Sequence, residues 1–308
     1  MNVPISIVTT MYKSAPHLEE FVTRCKGLMG PHDELILVDD GSPDTSLAIA
    51  LRHASEDPRV VVVQLARNFG HHPAILTGLA QARGERIFFV DCDLEERPEL
   101  LTDFTGIMDG AQADVVFGIH EHQGLSTSRR LTSQAFWRLF NWASDVDMPL
   151  NICNVRLMSR RYVEALLSMP ERNIFLGGMF HWVGFKQLAV PIERRVRQTA
   201  STYSAAARVA LAIRSIISFS TVPLQFMFWV GIAISSLSVS IAFYYAVLKL
   251  LDPDIQLGFT TLIISIWFLS GAVIACLGVI GIYLAYMYTE IKQRPRTIIQ
   301  QITRAGQS

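Results

Sequence analysis

Two stretches in the last third of the chain, residues 215–248 and 255–289, contain no Asp, Glu, Lys or Arg. A helix needs about 20 apolar residues to cross a bilayer core, so each stretch has length for one crossing and margin for tilt or an interfacial lead-in. A soluble domain can bury one such helix, but two at the end of a chain leave too little polar sequence to cover both. Spans are therefore expected near 224–248 and 259–287. After Pro223 the only charged residues are Lys249, Asp252, Asp254, Glu290, Lys292, Arg294, Arg296 and Arg304, which makes the chain a polar domain followed by a membrane hairpin.

The ends of the runs orient the hairpin. Arg194, Arg195, Arg197, Arg208 and Arg214 precede the first span, and Lys292, Arg294, Arg296 and Arg304 follow the second, whereas the loop Lys249-Leu-Leu-Asp-Pro-Asp holds one Lys and two Asp. Basic flanks stay on the cytoplasmic side, so the polar domain and both termini are expected there. The expected division is a polar domain over 1–200, an amphipathic juxtamembrane segment over 201–222, two spans within 223–290 and a cytoplasmic tail over 291–308. Arg208 and Arg214 among Val209, Leu211, Ile213, Ile216 and Ile217 suit a helix lying in the headgroup plane, or an ordinary solvated helix. Gly271, Ala272, Ala275, Gly278 and Gly281 recur at three- and four-residue steps in the second span, a surface suited to close helix packing within the hairpin or in a homo-oligomer.

Lys plus Arg and Asp plus Glu balance at 27 each, so no overall field favours nucleic acid as a partner. Cys25, Cys92, Cys153 and Cys276 are far apart and have no metal-ligand spacing, which reads as reduced thiols in a cytoplasmic chain. The N-terminus has no basic segment before its first β-branched run, and no signal peptide is expected.

Before the spans, strand-like runs at Ile5–Thr9, Leu35–Asp39, Val60–Leu65, Arg86–Val90 and Val115–Gly118 alternate with helical patterns around 17–28, 44–54, 72–82 and 98–109. Continuous apolar strands separated by helices predict an α/β domain built on a parallel sheet covered on both faces. Ligands in such sheets sit beyond the carboxyl ends of the strands.

Two of those ends are acidic. The second strand closes on Asp39-Asp40-Gly41-Ser42-Pro43-Asp44, where Gly41 permits a tight turn and Ser42 or Asp44 can cap the next helix. The fourth closes on Asp91-Cys92-Asp93-Leu94-Glu95. Two carboxylates one residue apart can reach one hard divalent cation that keeps phosphate oxygens as further ligands, or Asp93 can simply cap the following helix. The loop Thr9–Ser14 can hold a base through backbone groups and the Tyr12 ring, unless Tyr12 is a packed loop aromatic. Neither a dinucleotide glycine fingerprint nor a P-loop is present. His71 and His72 read as a helix start rather than a metal site.

With these motifs in order, the chain resembles the inverting family-two glycosyltransferases of GT-A fold, in the polyprenyl-phosphate branch typified by dolichyl-phosphate mannosyltransferase and bacterial undecaprenyl-phosphate glucosyltransferases. The matching stretches are residues 7–20, 38–45, Arg67-Asn68-Phe69-Gly70-His71, 91–99, Arg156-Leu157-Met158-Ser159-Arg160-Arg161 and 218–224, followed by the hairpin. The resemblance implies transfer of a sugar from a nucleotide diphosphate, a UDP-hexose by preference, to a membrane-held polyprenyl phosphate. It places Thr9, Tyr12, Asp40 and Arg67 at the nucleotide sugar. Asp91 and Asp93, with Glu95 where relatives often carry Gln, would hold Mg²⁺ or Mn²⁺ against the diphosphate. Arg129, Ser133 and Arg197 would meet the acceptor phosphate, with Arg129 also counted among the catalytic residues beside Asp91 and Asp93.

The chain also departs from that pattern. Where many relatives read Gly-Asp-Phe-Arg-Leu, this one reads Cys153-Asn154-Val155-Arg156-Leu157, and Asn154 cannot act as a base. A polyprenyl phosphate is already an anion near neutral pH, so base-free attack is one reading. Another carboxylate, a different donor or acceptor, and impaired activity are the others. An arginine common after the fifth strand in relatives is replaced by Ile119-His120, and the Gly-x-Ser-Lys-Tyr element of relatives by Ala200-Ser201-Thr202-Tyr203-Ser204, which lacks the lysine. The competing functions are a non-catalytic sugar-nucleotide-binding module and a transferase acting on another lipid or glycan. A processive synthase is disfavoured because its Gln-x-x-Arg-Trp signature is missing.

Overall fold

The computed structural model describes residues 3–120, 152–192, 222–251 and 259–304. They fall into two compact units, one holding a sheet and its helices and the other two long helices. The expected juxtamembrane segment, 201–222, lies outside the described residues except for Val222.

The first unit runs β1 (Ile5–Met11), α1 (Ala15–Leu28), β2 (Glu34–Asp39), α2 (Ser46–Glu56), β3 (Val60–Leu65), α3 (His71–Gln81), β4 (Arg86–Phe89), α4 (Leu100–Ala111), β5 (Val115–His120), β6 (Ile152–Ser159), α5 (Arg160–Ser168), α6 (Leu176–Trp182) and β7 (Gln187–Ile192), and ends with β8 (Ile299–Thr303). The eight strands form one sheet in the order β7-β5-β6-β4-β1-β2-β3-β8. β1, β2, β3 and β4 are mutually parallel, as expected. The sheet as a whole is mixed rather than parallel. β6 runs antiparallel between β4 and β5, and β8 runs antiparallel along β3.

Successive strand side chains point to opposite faces, which sorts the apolar runs into two layers. Ile7, Leu35, Leu37, Val62 and Phe88 join Leu18 and Phe21 of α1, Ala50 of α2 and Phe104 of α4 in one buried cluster. Burying each large side chain of this kind is worth about 1.5–3 kcal/mol. The other face takes α3, which approaches closely because residue 78 is glycine: a Cβ there would meet Val8 Cγ1 at 2.6 Å and Val38 Cγ2 at 2.9 Å.

Residues 293–304, within the expected tail, belong to this unit. Arg296 Nε donates to Glu171 O at 3.0 Å and its Nη2 donates to Met169 O. Thr297 Oγ1 lies 2.7 Å from Thr77 Oγ1, and β8 then pairs with β3, Ile302 opposite Val63.

The second unit consists of α7 (Val222–Leu251) and α8 (Phe259–Ile291). Pro223 falls in the first turn of α7, where its missing N–H costs nothing. Leu224–Ile241 and Ser265–Ile291 have mean hydropathies of 1.7 and 2.3 and none of their residues is buried. By length and composition both helices are able to cross a bilayer.

Candidate active site

The carboxyl ends of β1, β2 and β4 open on a cleft of about 400 Å³ lined by Thr10, Met11, Tyr12, Ser14, Asp40, Asn68, Gly70, His71, Asp91, Cys92 and Asp93. Of the residues expected at a nucleotide sugar or its metal, Tyr12, Asp40, Asp91 and Asp93 are brought together here. Thr9, Arg67 and Glu95 do not line it. Thr9 is fully buried in β1, and its Oγ1 has no hydrogen-bond partner among the described residues. Arg67 is exposed, donates to Asn68 O and lies 4.1 Å from the Phe69 ring centroid. Arg129, Ser133 and Arg197 lie outside the described residues.

Tyr12 is exposed at the cleft wall rather than packed in the loop, with Lys13 Nζ 5.5 Å from its ring centroid. The β2 turn is built by its acids. Asp39 Oδ1 accepts Ser42 N–H at 3.2 Å, and Gly41 takes φ 69°, a left-handed turn. Asp44 serves the helix start, accepting the N–H and the hydroxyl of Ser46, whose Oγ in turn accepts Ser14 N–H. Asp40 is almost wholly buried. Its oxygens accept Phe69 N–H at 2.7 Å and Gly70 N–H at 2.9 Å, which fixes the 68–70 loop beside the cleft. Burial raises its carboxyl pKa and those two bonds oppose the rise.

The β4 end is held from two sides. Asn154 of β6 donates from Nδ2 to Asp91 Oδ2 at 3.1 Å, and His71 Nε2 lies 3.4 Å from Asp91 Oδ1. His71 Nδ1 is 3.1 Å from Thr10 Oγ1. Burial pushes the Asp91 carboxyl up to about 6, against the pull of His71 and the Asn154 amide. Asp93 Oδ1 accepts Glu95 N–H at 3.0 Å, and Leu94 between them adopts φ 62°, a conformation costly for a branched side chain. His71 does start α3, as expected, but its reach to Asp91 was not legible in the sequence.

Arg156 of β6 is 2% exposed and, among the described residues, has no carboxylate within hydrogen-bond range. Its guanidinium donates to Asn154 O and Cys153 O and sits 3.3 Å from the Phe180 ring centroid. Burial lowers its pKa to about 10. A cation buried against an aromatic face and main-chain carbonyls fixes the backbone that carries Asn154.

The donor set suits a hard divalent cation, since Asp91, Asp93 and Glu95 offer only carboxylate oxygens. Among the described residues, however, no three acidic, His or Cys side chains converge on one metal position. All four cysteines are free thiols.

Residues 6–167 match the model of glycosyl transferase family 2. The chain belongs to that family. A glycosyltransferase of Mycobacterium tuberculosis is 40% identical over 301 residues, covering 97% of this chain and 88% of its own length. The prophage bactoprenol glucosyl transferase homolog of Escherichia coli K12 is 33% identical over 309 residues, covering 97% and 99%. Among solved structures, mannosyl-3-phosphoglycerate synthase from Rubrobacter xylanophilus aligns with a TM-score of 0.51 at 18% identity, over 70% of this chain and 73% of that one. That likeness is one of fold, and it agrees with the GT-A architecture expected of the family.

Proposed function

We propose that this protein is a membrane-bound inverting glycosyltransferase that moves a hexose from a nucleotide diphosphate, UDP by preference, to a polyprenyl phosphate. The observation that carries this reading is one chain in which an acidic cleft at the strand ends is followed by two membrane-length helices. Kinship with a bactoprenol glucosyl transferase homolog over nearly the whole length of both chains supports the acceptor class.

In this reading Tyr12 offers an exposed ring to the base, and Asp40 keeps the 68–70 loop in place beside the diphosphate. Asp91 and Asp93, the two of the expected ligands that line the cleft, would hold Mg²⁺ or Mn²⁺. The ion, when bound, supplies Lewis-acid stabilisation to the departing diphosphate. The acceptor phosphate oxygen attacks the anomeric carbon from the face opposite the leaving group, so the new bond has inverted configuration. An acceptor that is already anionic needs positioning more than deprotonation, which accords with an amide at position 154. Arg129, Ser133 and Arg197 would receive the acceptor phosphate.

Both ends of the hairpin belong on the cytoplasmic side. The basic flanks support this, and so does β8: a strand that follows the second span belongs to the same sheet as strands that precede the first, which requires an even number of crossings.

The test is a mass-detected transfer assay on the purified full-length protein with a panel of nucleotide sugars, undecaprenyl phosphate and Mn²⁺ or Mg²⁺. Sugar on the lipid phosphate is the expected product. Nucleotide binding without lipid-dependent turnover by any donor would overturn the reading in favour of a binding module.

A further inference from the structure

Position 154 raises a chemical question that the cleft geometry answers. β6 runs antiparallel beside β4, with Arg156 opposite Phe89. Continuing that register past the end of β4 sets residue 154 across from residue 91, and the two side chains meet there: Asn154 Nδ2 lies 3.1 Å from Asp91 Oδ2. The second oxygen of Asp91 faces His71 Nε2 at 3.4 Å, and Asn154 Nδ2 is itself 3.3 Å from that nitrogen. Thr10 Oγ1, 3.1 Å from His71 Nδ1, completes a chain of polar groups from β1 through α3 to β4 and β6. Each Asp91 oxygen thus faces a nitrogen carried on a different element, Asn154 Nδ2 of β6 and His71 Nε2 of α3.

An amide is the one side chain of this shape that can donate here. A carboxylate of the same size at position 154 would set two anions about 3 Å apart at a partly buried site, and neither could donate to the other while both were ionised. Arg156 fixes the backbone on which this depends by holding the carbonyls of residues 153 and 154.

We propose that Asn154 and His71 are positioning residues that clamp the Asp91 carboxylate, and that asparagine at 154 is the working partner of Asp91 rather than a lost base. The proposal deepens the transferase reading, since it takes Asp91 as a working residue of the cleft. The chain then has no use for a carboxylate at 154. Supplying one damages the site instead of restoring it.

The experiment uses the full-length protein in detergent at pH 8 and reads thermal melting and transfer kinetics separately. Asn154→Asp is expected to melt lower than Asn154→Ala, and both lower than the wild type, with Asn154→Asp down by about 3–6 °C. Its kcat/KM falls by about tenfold or more, mainly through kcat. The decisive variant exchanges the two groups: Asp91→Asn combined with Asn154→Asp returns an amide facing a carboxylate and regains the melting temperature lost by Asn154→Asp alone, while transfer, which Asn154→Asp alone only reduces, is lost with the Asp91 carboxylate. His71→Gln, which keeps a donor, retains more activity than His71→Ala. A gain of activity in Asn154→Asp, or no recovery of stability in the exchanged pair, would overturn the proposal. The melting arms stand apart from the functional reading. If no donor is turned over by the wild type, the transferase reading fails while the melting order still decides the clamp, and if the exchanged pair transfers sugar, Asp91 is not the working carboxylate.

Discussion

Asp40 Oδ2 accepts the backbone N–H of Gly70 at 2.9 Å, joining the end of β2 to the start of α3 across thirty residues of chain. With the neighbouring bond to Phe69, this makes Asp40 the fastener of the loop that forms one cleft wall. Asp40→Ala leaves two N–H groups without their acceptor, which costs about 1–3 kcal/mol for each buried donor that water does not reach. Denaturant unfolding should show that loss, and nucleotide titration a weaker site. An unchanged midpoint would mean that the loop is held by other contacts.

The same loop constrains Gly41. A Cβ there would stand 2.7 Å from Asn68 N and 2.8 Å from Arg67 C, in a residue with φ 69°. Gly41→Ala is expected to destabilise by at least about 1 kcal/mol, because neither backbone partner can yield cheaply and the left-handed turn itself disfavours a side chain. Gly106→Ala in α4, where nothing lies within 4 Å, is the control. It should stabilise by about 0.5–1 kcal/mol. Melting temperatures of the pair check both directions.

Acid should remove a specific increment of stability. Arg59 hydrogen-bonds the Asp57 carboxylate and holds its pKa down to about 2, while also donating to Met29 O and Gly30 O. A carboxyl whose folded pKa is depressed contributes stability that is present above its unfolded value, about 3.9, and is lost as pH falls through the folded value. The stability advantage of the wild type over Asp57→Asn should therefore be constant from pH 7 to about 5 and shrink between about 4 and 2. Urea unfolding across that range gives the comparison.

Asp114 is 4% exposed and receives two bonds from Arg161, at 2.5 and 2.8 Å, and one from Ser159 Oγ at 3.0 Å. It locks the start of β5 to the β6–α5 junction. Asp114→Asn cannot accept that bidentate pair, and because the Arg161 side chain is 70% exposed the loss is expected to be no more than about 1 kcal/mol, with nucleotide affinity unchanged because the contact is remote from the cleft. Parallel unfolding and nucleotide titrations separate the two effects.

The elements that sequence reasoning located are those whose residues agree with one another. β1 to β5 are continuous apolar runs, and the acids at the ends of β2 and β4 follow from where parallel strands deliver their ligands. β6 was missed as a strand because Asn154 and Arg156 interrupt its pattern, and the burial of Arg156 depends on the ring of Phe180, a contact no spacing rule supplies. β7 carries Pro191 at the sheet edge, and β8 is a short polar strand whose partner lies more than two hundred residues earlier, so local pattern is silent on both. At the site, Tyr12, Asp40, Asp91 and Asp93 were legible from strand ends. The clamp on Asp91 was not, because His71 and Asn154 meet it only through the order in which β1, β4 and β6 lie side by side.

The position of β8 sets an order of events in the life of the molecule. A ribosome makes residues 299–303 after both long helices, so the β3 border of the sheet stays unsealed while the helices are being made. An open strand border is the part of a nascent sheet most prone to pair with the wrong neighbour. The sheet is therefore complete only once the chain beyond the second long helix has emerged and β8 has closed the β3 border.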